Sequence, residues 1–222
     1  MTTIHPTLEK SYAAFLFDMD GTLLNSIVAA ERVWGAWAER HGLDVESFLP
    51  IIHGVRPVDT IKRLNLPGID IAAEAAWIET AEREDVEGIV QIEGVVDFLN
   101  SIPGDRWAIV TSASPELARR RMAAAGIVAP ETVVTGEDIV NGKPNPDCFL
   151  LGAERLGAKA SDCLIFEDAP AGIRAAEAAG GDVVVITATH QTPMETTHLA
   201  IGDYAGVGVT VRADGRLRLH TK

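Results

Sequence analysis

The strongest constraint on the fold is a rhythm of short apolar runs, each followed by a polar or glycine-rich turn. The runs are Ala13 to Phe17, Trp107 to Val110, Thr132 to Val134, Cys163 to Phe166 and Val183 to Ile186. Each has the length of a strand and is apolar on both faces, as strands buried inside a parallel sheet are. Helical patterns separate the later runs. Pro115 to Ala125 has Ser114 as an N-cap, proline in its first turn and Gly126 past its end. Asp147 to Leu156 stops at Gly157, and Ala169 to Ala179 stops at Gly180-Gly181. Strand alternating with helix predicts an α/β fold with a central parallel sheet.

One stretch breaks the rhythm. From Ile27 to Val90 the pattern is helical, with candidate helices at Val28 to Arg40, Val45 to Ile52, Pro57 to Leu64 and Ile71 to Glu84. An all-helical insertion after the first strand is expected, with the core resuming near Gly94 and the helix Val95 to Asn100. The domain reading is 1–25 and 92–222 for the α/β core and 26–91 for the insertion. Trp34, Trp37 and Trp77 are expected in the core of that insertion. Near the C-terminus, Val209, Val211, Leu217 and Leu219 alternate around Asp214-Gly215, which predicts an edge hairpin.

Composition narrows the function. The formal net charge of −13 would repel duplex nucleic acid or an anionic membrane, so neither partner is expected. No apolar run approaches the roughly 20 residues of a membrane span. Met1 to Pro6 has neither the basic nor the apolar part of a secretion signal. Cys148 and Cys163, the two cysteines in the chain, form no disulfide framework and have no metal-ligand spacing. A cytoplasmic protein is expected, and a monomer.

The chemistry-bearing residues fall at the carboxyl ends of the predicted strands, the edge where open α/β sheets bind ligands. Asp18 and Asp20 follow the first strand, and Gly21 lets the chain turn away. One of two such carboxylates can attack or hold a metal while the other carries a proton. An Asx-type turn is the competing reading of that segment taken alone. Thr111, Ser112 and Ala113 follow the second strand, where a hydroxyl and backbone N–H groups can hold phosphoryl oxygens. Lys143 lies in the proline-bounded loop Asn141 to Pro146 and can aim an ammonium at Asp18. Glu167 and Asp168 follow a later strand and add oxygen ligands suited to a hard cation such as Mg²⁺. Singly each signal is weak. Together they supply a nucleophile, an acid, phosphate donors, a cation and metal ligands, which is the set phosphoryl transfer requires.

Asp18-Met19-Asp20-Gly21-Thr22, Thr111-Ser112, Lys143-Pro144 and Glu167-Asp168 occur in that order. They resemble the four motifs of the haloacid dehalogenase-like superfamily over nearly the whole chain. Within it, His53-Gly54-Val55-Arg56 and Phe166 to Ile173 are similar to the sugar-phosphate, hexitol-phosphate, 2-deoxyglucose-6-phosphate and glycerol-3-phosphate phosphatases. The resemblance implies a Rossmann-like three-layer core with a helical cap. It implies Asp18 as nucleophile, Asp20 as general acid and base, and Thr111, Ser112, the following N–H groups and Lys143 around the phosphoryl group. It implies Mg²⁺ on the Asp18 carboxylate, the Asp20 carbonyl and Asp168, with Glu167 close by or acting through water. A small phosphate ester is the implied substrate. Arg56, in a polar turn between cap helices, is the candidate for substrate contact.

The rival is a phosphosugar mutase of the β-phosphoglucomutase type. That branch carries a histidine about where Ala30 falls and lacks threonine after Asp-x-Asp-Gly, so Ala30 and Thr22 favour hydrolysis. The linker Ile92-Glu93-Gly94-Val95 lacks the proline of many relatives, and Gly94 remains a candidate hinge.

Overall fold

The computed structural model describes residues 5–222. The reading of Met1 to Pro6 as lacking a secretion signal falls largely on residues outside that range. Among the described residues no helix is long and apolar enough to cross a membrane.

The first strand, β1, spans Ala14–Phe17. A two-residue strand β2 (Leu24–Asn25) leads into four helices, α1 (Ile27–Arg40), α2 (Val45–Phe48), α3 (Pro57–Leu64) and α4 (Ile71–Glu84). Strand β3 (Val90–Gln91) returns antiparallel to β2, so a minimal ribbon closes the base of the helical segment. Next come α5 (Val95–Asn100), β4 (Trp107–Val110), α6 (Pro115–Ala124), β5 (Val133–Val134), α7 (Asp147–Arg155), β6 (Cys163–Glu167), α8 (Pro170–Ala179) and β7 (Asp182–Ile186). The chain ends with β8 (Leu199–Ile201), β9 (Val207–Val211) and β10 (Leu217–Thr221).

Six strands form one sheet in the order β5-β4-β1-β6-β7-β8, and every pairing in it is parallel. Every residue of β1, β4 and β6 is buried. Alternate side chains therefore serve two apolar layers. Phe15, Phe17, Ile109 and Phe166 pack towards α5, α6 and the C-terminal hairpin. Leu16, Val110, Ile165 and Val185 pack towards α7 and α8. β1 lies at the centre, with β4 on one side and β6 on the other, so the crevice beyond its carboxyl end sits where the winding reverses direction.

The helical segment has an apolar cluster of its own, built on Val33, Trp34, Trp37, Phe48, Ile61 and Ile78. Local chemistry sets its helix ends. The Asp70 carboxylate accepts from the N–H groups of Ala72 and Ala73 at 3.1 Å each, capping α4. Asn65 ends α3 in the left-handed region at φ 48°, a conformation asparagine tolerates better than most residues.

The structure corrects the sequence reading at several points. Trp77 is 39% exposed and lies under the Arg40 guanidinium at 4.2 Å, so it belongs to the surface of the helical segment. The predicted helix Val45 to Ile52 breaks into α2 and a 3₁₀ turn at Leu49–Ile51, where Pro50 removes a helical donor. The C-terminal hairpin pairs within itself, with Leu217 opposite Val211. It touches the chain start through Tyr12 and does not extend the large sheet. β8, the sixth strand, is the one the periodicity missed.

Candidate active site

The loops leaving β1, β4 and β6 converge with the loop before α7. Asp18 is 4% exposed and Lys143 1%. The Lys143 ammonium donates to Asp18 Oδ1 at 2.5 Å and to Glu167 Oε1 at 2.7 Å. The other Glu167 oxygen accepts from the N–H groups of Asp168 and Ala169, both at 2.8 Å. Asp168 Oδ1 accepts from the Thr22 hydroxyl at 3.1 Å, and the Thr22 carbonyl in turn accepts from the buried Tyr204 hydroxyl at 3.1 Å. Two glycines make room for this packing. A Cβ on Gly21, which has φ +87°, would stand 2.0 Å from Asp168 Oδ2, and one on Gly172 would stand 1.6 Å from Glu167 Oε1.

Charge is unbalanced here. Three buried carboxylates share one ammonium. Burial pushes the Asp18 carboxyl up to about 8 against the pull of Lys143, and burial next to Glu167 and Asp18 pushes Asp168 well above its ordinary value. Lys143 is held charged, because the attraction of Asp18 and Glu167 exceeds its own burial penalty. One oxygen each from Asp18, Glu167 and Asp168 lies within 4.8 Å of the others. The donor set fits a hard divalent cation: all ligands are oxygens, and Asp18 Oδ2 and Asp168 Oδ2 take no hydrogen bond from any described residue. Both Glu167 oxygens are already engaged, so Asp18 and Asp168 are the better ligands.

Asp20 stands at the mouth of this cluster. Its Oδ1 accepts from Ser26 Oγ at 2.5 Å and lies in an ion pair 3.0 Å from Arg121 Nη1. The Arg121 guanidinium also reaches Glu82 Oε1 through Nη2 at 3.1 Å. Burial pushes the Glu82 carboxyl up, with Arg121 opposing. A cavity of about 70 Å³ lies over these groups. Asp18, Asp20 and Thr111 to Ala113 form its floor, Arg121 one side, and Trp34, His53 and Glu82 from the helical segment its far wall.

Asp18, Asp20, Thr111, Lys143, Glu167 and Asp168, all singled out from the sequence, are thus gathered at one edge. Three others sit differently. Ser112 turns its hydroxyl to the Gly54 carbonyl at 3.0 Å, and the Ala113 N–H donates to Thr111 Oγ1 at 3.1 Å; both contacts shape the loop. Arg56, expected to touch substrate, is not on the cavity wall. Its guanidinium donates to Asp59 at 2.7 Å and to the carbonyls of Gly136, Ile139 and Val140 at 3.3, 3.2 and 3.0 Å. It fastens the helical segment to the loop after β5.

Sequence reasoning missed Arg121 and Glu82. A signal existed: Arg121 is four residues after Leu117, and Glu82 is four after Ile78, so each charge falls on the buried stripe of its helix.

Comparison with known proteins agrees with the geometry. Residues 12–180 match the family model of the haloacid dehalogenase-like hydrolases. The chain belongs to that family and is an enzyme of the hydrolase class. Among its curated relatives, hexitol phosphatase A of Escherichia coli is 41% identical over 206 residues, covering 90% of this chain and 95% of the relative. Glycerol-1-phosphate phosphohydrolase 2 of Saccharomyces cerevisiae is 32% identical over 202 residues, covering 84% and 79%. The crystal structure of β-phosphoglucomutase from Clostridium difficile superposes with a TM-score of 0.73 at 18% identity, covering 86% of this chain and 91% of that one, and shows the shared fold.

Proposed function

We propose that this chain is a magnesium-dependent phosphatase of small sugar or polyol phosphates, working through an aspartyl phosphate on Asp18. The observation that carries the reading is the convergence of Asp18, Asp20, Lys143 and Asp168 at one sheet edge under a small cavity. The relatives named for hexitol and glycerol phosphates support the substrate class.

Lys143 steadies the Asp18 carboxylate, and one oxygen of that carboxylate is the attacking atom. A new bond forms between that oxygen and phosphorus while the ester P–O bond breaks. Asp20 gives its proton to the departing alkoxide, which would otherwise be a poor leaving group. Water then attacks the phosphorus, passes a proton to Asp20 and releases Asp18 and inorganic phosphate. The Thr111 hydroxyl and the N–H groups that follow it would hold the transferring oxygens, where charge spreads in the transition state. Asp18, Asp168 and the Asp20 carbonyl would hold Mg²⁺, which supplies positive charge to offset the carboxylates and the phosphate.

Residues 26–91 serve as a cap over the core formed by 1–25 and 92–222. Trp34, His53 and Glu82 on the cavity wall support that role, as does Gly94. A Cβ there would stand 2.6 Å from the Ala205 nitrogen, and its φ is +76°, so only glycine suits this end of the linker. Ala30 lines the cavity and offers no imidazole, which favours water over a second sugar phosphate as acceptor. A cytoplasmic monomer without nucleic-acid or membrane partners fits the composition.

The test is phosphate release from a panel of hexitol, hexose and glycerol phosphates with and without Mg²⁺. Release that chelation abolishes is expected. No release from any member by folded protein would sink the reading, and isomer formation without net phosphate would convert it to a mutase.

A further inference from the structure

Arg121 is an unusual residue to find on the inner face of α6. It is 5% exposed, and a buried guanidinium is tolerated only when carboxylates and hydrogen bonds replace its water. Its fork meets two carboxylates from different parts of the chain. Asp20 lies on the loop after β1, and Glu82, 6% exposed, lies in the last turn of α4 within the helical segment. Arginine suits such a bridge because its planar fork presents separate N–H groups at fixed angles, whereas a lysine offers one point charge.

The contact on Asp20 is one-sided. Oδ1 accepts from Ser26 Oγ and stands 3.0 Å from the charged Arg121 Nη1, and Oδ2 receives no hydrogen bond from any described residue. An oxygen that accepts from a hydroxyl and faces a guanidinium cannot also carry the carboxylic proton towards them. The proton of the acid form is therefore confined to Oδ2, beside the cavity that Asp20 lines. Loss of Arg121 would let the Asp20 carboxyl rotate and the proton-bearing oxygen wander.

We propose that Arg121, anchored by Glu82, is a positioning residue that fixes the Asp20 carboxyl so that Oδ2 faces the leaving group. Because Glu82 belongs to the helical segment, the arrangement is complete only when that segment lies against the core. Proton transfer is thereby tied to closure over a substrate. This inference rests on the phosphatase reading above.

The experiment compares two substrates by kcat/KM, which reports steps through the first phosphoryl transfer. A hexitol phosphate has an alkoxide leaving group that needs the proton. 4-Nitrophenyl phosphate has a phenolate that departs without one. For Arg121→Met, kcat/KM on the hexitol phosphate should fall by about 10²-fold, the usual worth of a positioned general acid, and far less on the aryl ester. Glu82→Gln should shift the same ratio in the same direction by a smaller factor, and Arg121→Lys should restore part of it. The double variant Arg121→Met with Glu82→Met removes both buried charges together, which keeps the fold free of an unpaired ion, and should show the same substrate-dependent loss. Equal losses on both substrates, in the single and the double variant, would mean a merely structural bridge and overturn the proposal. Wild-type protein inactive on both esters would instead overturn the phosphatase reading on which it stands.

Discussion

Replacing Lys143 with methionine tests the electrostatic account of the site most directly. The side chain is 1% exposed, so the change keeps most of its bulk while deleting the ammonium that Asp18 and Glu167 share and that stands 5.1 Å from the centre of the Phe149 ring. Removing one partner of a buried pair costs about 3–5 kcal/mol. A chain of this size loses roughly 2–4 °C of Tm per kcal/mol, so the expected fall is about 6–20 °C. The deficit must depend on pH, and the sign follows from Asp18. Burial raises its carboxyl from 3.8 to about 8 although Lys143 pulls it down; without the lysine it rises further. An acid raised by folding weakens the fold only when ionised, so the load is absent below the unfolded value and complete above the folded one. At pH 5 Asp18 is protonated in both proteins, only Glu167 loses its partner, and the deficit is smaller. At pH 9 the variant carries the ionised carboxyl with no ammonium beside it, and the deficit is large. Circular-dichroism melts at both pH values in chelator measure it directly. In the same protein kcat should fall about 10²- to 10³-fold, the usual loss when a transition-state charge partner is removed. Equal Tm deficits at pH 5 and pH 9 would refute the argument that Lys143 exists to offset these carboxylates.

Three further outcomes follow from the same geometry. Asp18→Asn should abolish turnover yet melt no lower than wild type above pH 8, where the ionised Asp18 is a load; retained turnover would remove Asp18 as nucleophile. Gly21→Ala should displace Asp168, since the new Cβ falls 2.0 Å from its Oδ2 at a positive φ; Mg²⁺ should then raise the Tm of wild type at pH 8 but not that of the variant. Arg56→Ala should cost about 2 kcal/mol in denaturant melts through lost charged hydrogen bonds, and the ranking of sugar phosphates by kcat/KM should stay as in wild type. A changed ranking would return Arg56 to the substrate.

Much of this molecule is legible in the order of its residues. β1, β4, β6 and β7 announce themselves because strands buried on both faces must be apolar throughout, and the helices because a cap, a buried stripe and a stop recur. Once those strands are parallel neighbours, Asp18, Thr111 and Asp168 must share an edge, for each follows the carboxyl end of its own strand. Lys143 joins them through the length and prolines of its loop. The shorter elements were hidden for a local reason. β2 and β3 have two residues each, and β8 is only partly buried, so neither period nor apolarity marks them. The roles of Trp77, Arg56, Arg121 and Glu82 were hidden for a different one. Periodicity tells which face of a helix is buried but not which distant face it meets. The docking of α4 against α6 brings Glu82 to Arg121 and Arg121 to Asp20. The seating of α3 beside the loop after β5 turns Arg56 from a candidate ligand into a fastener. The sequence alone thus determined the sheet and which side chains gather at its edge, because both follow from short-range order. Only the tertiary structure decided which groups meet Asp20, because that depends on contacts between helices far apart in the chain.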